Sequence, residues 1–165
     1  MRVYIFGDKS SVIVSKTMEL CVSKNFILMD SLENADLGLA PLLTCKIPSA
    51  VLGLFKYGVL IFHPSLLPMH GGGNAIKEAF KRGAYYSGIT WFWASEKFDS
   101  GDICEQSAIR IDSESPREYY ENKCVPEAIR LLDYALDDIK SGVIRRRRQN
   151  LLNGSYERHN KCGKE

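Results

Sequence analysis

Gly58-Val59-Leu60-Ile61-Phe62-His63-Pro64-Ser65-Leu66-Leu67-Pro68 is the stretch on which the fold turns. Val59 to Phe62 is an unbroken apolar run, short and branched, as in a strand buried on both faces. Pro64 ends it, because proline has no N–H for a ladder and fixes its own φ. His63 therefore stands at the end of a buried strand, where open α/β sheets hold their ligands. Working outward, the pattern predicts strands over 2–7, 26–29, 37–40, 59–63, 88–94 and 103–111. Helices are expected over 10–24, 49–55, 74–81 and 115–141, with a loop over 41–48. Ser115-x-x-Glu118 suits the N-terminus of the last helix as a capping box. Strands alternating with helices argue for a mostly parallel twisted α/β sheet with helices on both faces.

The composition sets bounds. With 165 residues, 45% hydrophobic and 25% charged, the chain can build one ordinary core. No apolar run approaches the ~20 residues of a membrane span, so no membrane partner is expected. The opening Met1 to Gly7 is too short for a secretory leader and reads as a first strand. Cysteines 21, 45, 104, 124 and 162 are scattered, odd in number and form no C-x-x-C pair. That pattern predicts reduced thiols in a cytoplasmic protein, with neither a disulfide framework nor a metal site. Charge is uneven: residues 140–165 carry eight basic and two acidic side chains, against 14 and 18 in residues 1–139. The expected division is a domain over 1–144 and a basic tail over 145–165. The run Arg145, Arg146, Arg147, Arg148 reads either as a solvated segment or as a clamp for phosphate. Without interleaved aromatics it does not argue for nucleic acid.

Thirty-six residues after His63 comes Phe98-Asp99-Ser100-Gly101-Asp102-Ile103. A strand-end histidine with a distant carboxylate is an acid–base pair in outline. Each has an ordinary use as well, the one as a hydrogen-bonded strand end and the other as a turn residue. The two strings together, His63 to Pro68 and Asp99 to Gln106, resemble the folate-dependent formyltransferase family. That family includes glycinamide ribonucleotide and methionyl-tRNA formyltransferases, sugar N-formyltransferases and formyl-tetrahydrofolate hydrolases. The resemblance runs from about residue 36 to about residue 141. It implies a Rossmann-like sheet and transfer of a formyl group from 10-formyltetrahydrofolate to an amine of a small-molecule acceptor, an amino sugar nucleotide being one candidate. It gives catalytic roles to His63, which would stabilise the tetrahedral oxyanion, and to Asp99, which would take the amine's proton through water.

The same resemblance implies a pterin wall at Leu42, Leu43, Thr44 and Cys45, faced by Glu96, Lys97 and Phe98. Ser65, His70, Gly71, Gly72 and Thr90 fall on the acceptor side. Read from the residues alone, 42–45 is equally a hydrophobic loop folded over the core. Ser65 is equally an exposed loop hydroxyl, Thr90 an ordinary strand threonine, and 71–73 a loose turn. Trp91 and Trp93 are core residues or a platform for a planar ligand. Hydrolysis of the same folate, and a catalytically impaired folate- or nucleotide-binding protein, remain as alternatives. Homodimerisation is left open.

Departures from the family pattern are informative. The family has an asparagine two residues before the histidine, and this chain has Ile61. On a strand those positions share a face, so Ile61 should share a wall with His63. Losing one oxyanion donor typically costs ~10²–10³ in rate. Asn74 is a candidate to supply an amide from another direction. Gly7-Asp8-Lys9-Ser10-Ser11 lacks the second glycine and the asparagine of the purine-pathway phosphate loop, and Asp8 would repel a phosphate. Between Met29 and Leu37 one strand–helix unit is reduced, giving a shortened N-terminal half. Residues 149–158 look like the segment after the last helix in sugar- and tRNA-type members, without the separate C-terminal domain of the tRNA enzymes.

Overall fold

The computed structural model describes residues 1–43, 45–112 and 115–155. Thr44, Cys162 and the expectations for 156–165 lie outside the described residues. Among those described, six strands form one sheet: β1 (Arg2–Ile5), β2 (Ile27–Met29), β3 (Leu37–Ala40), β4 (Val59–His63), β5 (Tyr86–Trp93) and β6 (Ile103–Arg110). Their order is β2-β1-β3-β4-β5-β6. The first four run parallel, and β5 and β6 are antiparallel to their neighbours. The Rossmann-like α/β architecture is therefore a mixed sheet.

The antiparallel part was hidden in the sequence because helix α3 (Ala75–Lys81) separates β4 from β5, as a crossover helix would. A true crossover returns the chain to the start of the sheet. Here the chain turns back instead, and His63 pairs with Thr90. Thr90 fastens that turn: its hydroxyl donates to the Ser65 carbonyl (2.7 Å) and accepts the Leu67 N–H (3.2 Å). The Leu67–Pro68 bond within the turn is cis.

One face of the sheet is fully covered. Helices α1 (Val12–Ser23) and α5 (Val125–Lys140) pack on it and bury Leu37, Leu39, Leu60, Phe62, Trp91 and Trp93. Both tryptophans belong to this core. The indole N–H of Trp91 donates to the Ala128 carbonyl (2.8 Å) and that of Trp93 to Arg145 (2.7 Å). The helix expected over 115–141 is interrupted. Ser115 caps α4 (Pro116–Tyr119) by accepting the Glu118 N–H (3.1 Å). A π-helical turn, Tyr120–Cys124, then leads into α5. Pro126 is the cause: it has no N–H and its ring crowds the carbonyl four residues back, so the chain takes one wider turn. The Val125 N–H accordingly reaches the Tyr120 carbonyl.

The other face is thinly covered. Residues 30–36 cross it by turns, placing Leu32 and Ala35 where a crossover helix would stand. Helix α2 (Ser49–Leu52) is a single turn. Beyond the end of β3 and β4 this face is open. After α5, residues 145–155 run back along the sheet. Arg147 pairs antiparallel with Ile103, and a 3₁₀ turn follows at Leu151–Asn153.

Candidate active site

A cleft of about 1390 Å³ opens on the thin face. Its walls are the loop after β3, the end of β4, the 72–74 approach to α3, the 95–99 loop and the start of α4. Pleating points Ile61 and His63 into it, two residues apart, while Leu60 and Phe62 belong to the packed core, Phe62 also reaching the cleft lining. Phe92, paired with Ile61 across β5, completes the floor.

His63 is 7% exposed. Its Nε2 lies 2.8 Å from the His70 carbonyl. A carbonyl only accepts, so Nε2 carries the hydrogen, and the neutral ring keeps its lone pair on Nδ1. Asp99 sits in the turn after the Lys97–Phe98 wall, with a left-handed φ of 50°. Gly101 is dictated by that turn, since a Cβ there would lie 1.7 Å from the Trp93 carbonyl oxygen. The Asp99 carboxylate accepts the Gly72 N–H at 2.7 Å. Residues 70–72 thus form a backbone bracket: a carbonyl holds the imidazole and, two residues on, an N–H holds the carboxylate. His70 (φ 54°) and Gly72 (φ 97°) are both left-handed, which turns successive peptide groups towards the two side chains.

The other expected positions divide. Leu42, Leu43, Cys45, Lys97, Phe98 and Gly72 line the cleft, as does Asn74. The Asn74 side chain does not cap α3. Glu96 is off the wall. Ser65, Thr90, His70 and Gly71, expected on the acceptor side, lie behind it. Ser65 and Thr90 are fully buried. The Ser65 hydroxyl donates to the Met69 carbonyl (2.7 Å), and that of Thr90 is used by the same loop. Both hydroxyls shape the turn that carries His63. His70 and Gly71 supply backbone to the bracket.

Three side chains to which the sequence reading gave no site role reinforce these loops. Gln106 donates to the Leu67 carbonyl (2.8 Å) and to Thr90 (2.9 Å), and accepts from Arg147 (3.0 Å). Gln149 donates to the carbonyls of Asp99 (3.0 Å) and Gly101 (2.6 Å). Ser155 accepts the His70 N–H at its hydroxyl (2.9 Å) and the Gly71 N–H at its carbonyl (2.9 Å). Gln106 was legible as part of a motif. Nothing local marks Gln149 or Ser155, whose partners lie 48 to 85 positions away.

The rim is cationic. Lys46, Lys77, Lys97 and Arg117 stand around the opening, and Asp99 is the acidic residue among the described lining. At the first β–α turn, by contrast, the Ser10 backbone N–H holds the Asp8 carboxyl below its usual range. That turn carries a negative charge where a phosphate loop would need a neutral one. Among the described residues no group of His, Cys, Asp and Glu could hold a metal ion, and no helix is long and apolar enough to cross a membrane.

A mixed α/β sheet with a strand-end histidine and a turn aspartate bracketed over one cleft defines a class, and comparison with known proteins gives its family. Residues 28–135 match the formyl transferase family model, and the chain belongs to that family. It is 32% identical over 124 residues to the mouse cytosolic 10-formyltetrahydrofolate dehydrogenase, covering 74% of this chain and 14% of that enzyme. This chain therefore spans a small part of that relative's length. The fold is shared with HypX from Aquifex aeolicus, solved with tetrahydrofolic acid (TM-score 0.81, 21% identity, 97% of this chain and 30% of that one). It is shared equally with the formyltransferase PseJ from Anoxybacillus kamchatkensis (TM-score 0.79, 20% identity, 96% and 86%). That enzyme was solved with a formamido UDP-sugar and tetrahydrofolate.

Proposed function

We propose that this domain transfers a formyl group from 10-formyltetrahydrofolate to the amine of a small, anionic acceptor, of which an amino sugar nucleotide is the leading case. The observation that carries the reading is the placement of His63 and Asp99 on one cleft, joined by the 70–72 bracket. The apolar wall of Leu42, Leu43 and Phe98 suits a planar pterin, and the cationic rim suits the carboxylates of a folate and the phosphates of an acceptor. Relatives solved with tetrahydrofolate, one of them also with a formamido sugar nucleotide, support the same substrates.

The amine nitrogen bonds to the formyl carbon, and the adduct collapses as the bond from that carbon to N10 of the folate breaks. The amine loses a proton and N10 gains one, so the transfer is balanced without redox chemistry. Asp99 accepts the amine's proton by way of water. His63 donates from Nδ1 to the oxyanion in its imidazolium form, with both ring nitrogens protonated, while its Nε2 stays fixed on the His70 carbonyl. Ile61 contributes no donor beside it.

Attack by water would yield formate instead, and the kinship with a 10-formyltetrahydrofolate dehydrogenase favours this as a second reading. The test is release of tetrahydrofolate, followed by absorbance, with and without a panel of amino sugars and amino nucleotides. Amine-dependent release is expected. Amine-independent release with formate would establish the hydrolase, and no release in either arm would leave a binding protein.

A further inference from the structure

Among the described residues four non-glycine positions are left-handed: Asn25, Asn34, His70 and Asp99. Such a conformation costs free energy and persists where the surroundings over-determine it. Asparagine and aspartate both tolerate it in turns. What sets His70 and Asp99 apart is that one supplies the bracket and the other is held by it, and residues 149–155 bond both. The Gln149 amide donates to the carbonyls of Asp99 and Gly101, closing the turn from outside. It does so while only 7% exposed, where water does not compete for the carbonyls. Ser155 takes the N–H groups of His70 and Gly71.

We propose that Gln149 and Ser155 are positioning residues, acting through Asp99 and His63 respectively. Gln149 sets the backbone of Asp99 so that its carboxylate meets the Gly72 N–H. Ser155 sets the backbone of His70 so that its carbonyl meets the imidazole. The segment after α5 is then a strap belonging to the site. The inference rests on the reading of His63 and Asp99 as the reacting pair.

The test is a double-mutant cycle between Gln149→Met, which keeps the volume and deletes the donor, and Asp99→Ala. In the wild-type background Gln149→Met should lower kcat roughly 10- to 100-fold, the cost of a misplaced catalytic group, with KM for 10-formyltetrahydrofolate little changed. In the Asp99→Ala background it should lower kcat no further. An equal loss in both backgrounds would mean a structural role and overturn the proposal. Should Gln149→Met not fold, Ser155→Ala at an exposed position carries the same cycle against His63→Ala. If the wild-type protein turns over no formyl donor, the functional reading fails by itself. The strap is then judged by amide exchange: Gly72 should lose protection in Gln149→Met, and unchanged protection would refute it.

Discussion

The two faces of one sheet are built from the same strands and differ by a single step of the pleat. On β4, Leu60 and Phe62 join the core under α1 and α5, with Phe62 also touching the cleft, whereas Ile61 and His63 face the cleft. On β5, Trp91 and Trp93 point into the core, and Thr90 and Phe92 point the other way. The packed face has two long helices to bury it. The other has one helical turn and a crossover without a helix, and the space left over is the cleft. Stability and chemistry are thereby assigned to alternate residues, so substitutions one position apart should separate them.

The largest effect on stability is expected on the packed face. Trp91→Ala should cost about 3–5 kcal/mol, because the ring is fully buried and its N–H is bonded to Ala128. Urea unfolding would measure this, and a loss below about 1 kcal/mol would deny the difference between the faces. On the cleft face the change of greatest interest is Ile61→Asn. It should leave stability nearly unchanged and raise turnover by up to ~10², one restored oxyanion donor. If activity appears only in the variant, the natural protein is an impaired member. If native turnover is already high, Ile61 imposes no handicap.

Much of this arrangement was legible. The apolar run ending at His63-Pro64 marked β4 and where it stops, and the Asp99-Ser100-Gly101 string marked the turn on the other side of the cleft. Three features escaped for separate physical reasons. The antiparallel return of β5 depends on which way the chain leaves α3, and hydrophobic periodicity carries no direction. Ser65 and Thr90 read as ligand contacts because a hydroxyl's partner cannot be seen in sequence, and here each partner is a backbone atom of the turn. Gln149 and Ser155 follow an arginine run whose composition says only that it is basic. Their partners are carbonyls and N–H groups, which every residue has, so no complementary side chain marks them.

The thiols offer a smaller contrast. Burial pushes Cys21, Cys104 and Cys124 of the packed side up to about 12, while Cys45 is exposed on the cleft wall. A thiol that ionises less readily in the folded chain contributes stability that is complete below its unfolded value of ~8.5. That contribution is lost as pH rises through about 12. The Tm should therefore fall progressively above about pH 9. At pH 8, maleimide labelling read by mass spectrometry should modify Cys45 and spare the three buried thiols. Labelling of Cys21, Cys104 and Cys124 as complete as that of Cys45 would show that the packed face opens readily.

We propose that one histidine and one aspartate, His63 and Asp99, bracketed by residues 70–72, perform the transfer. Tetrahydrofolate release from 10-formyltetrahydrofolate should be compared in the wild type, His63→Ala and Asp99→Ala under one set of conditions. Circular dichroism would verify that each variant is folded. A drop of roughly 10²–10⁴ in each folded variant is expected from the loss of acid–base and oxyanion assistance. Full activity in both would contradict the account.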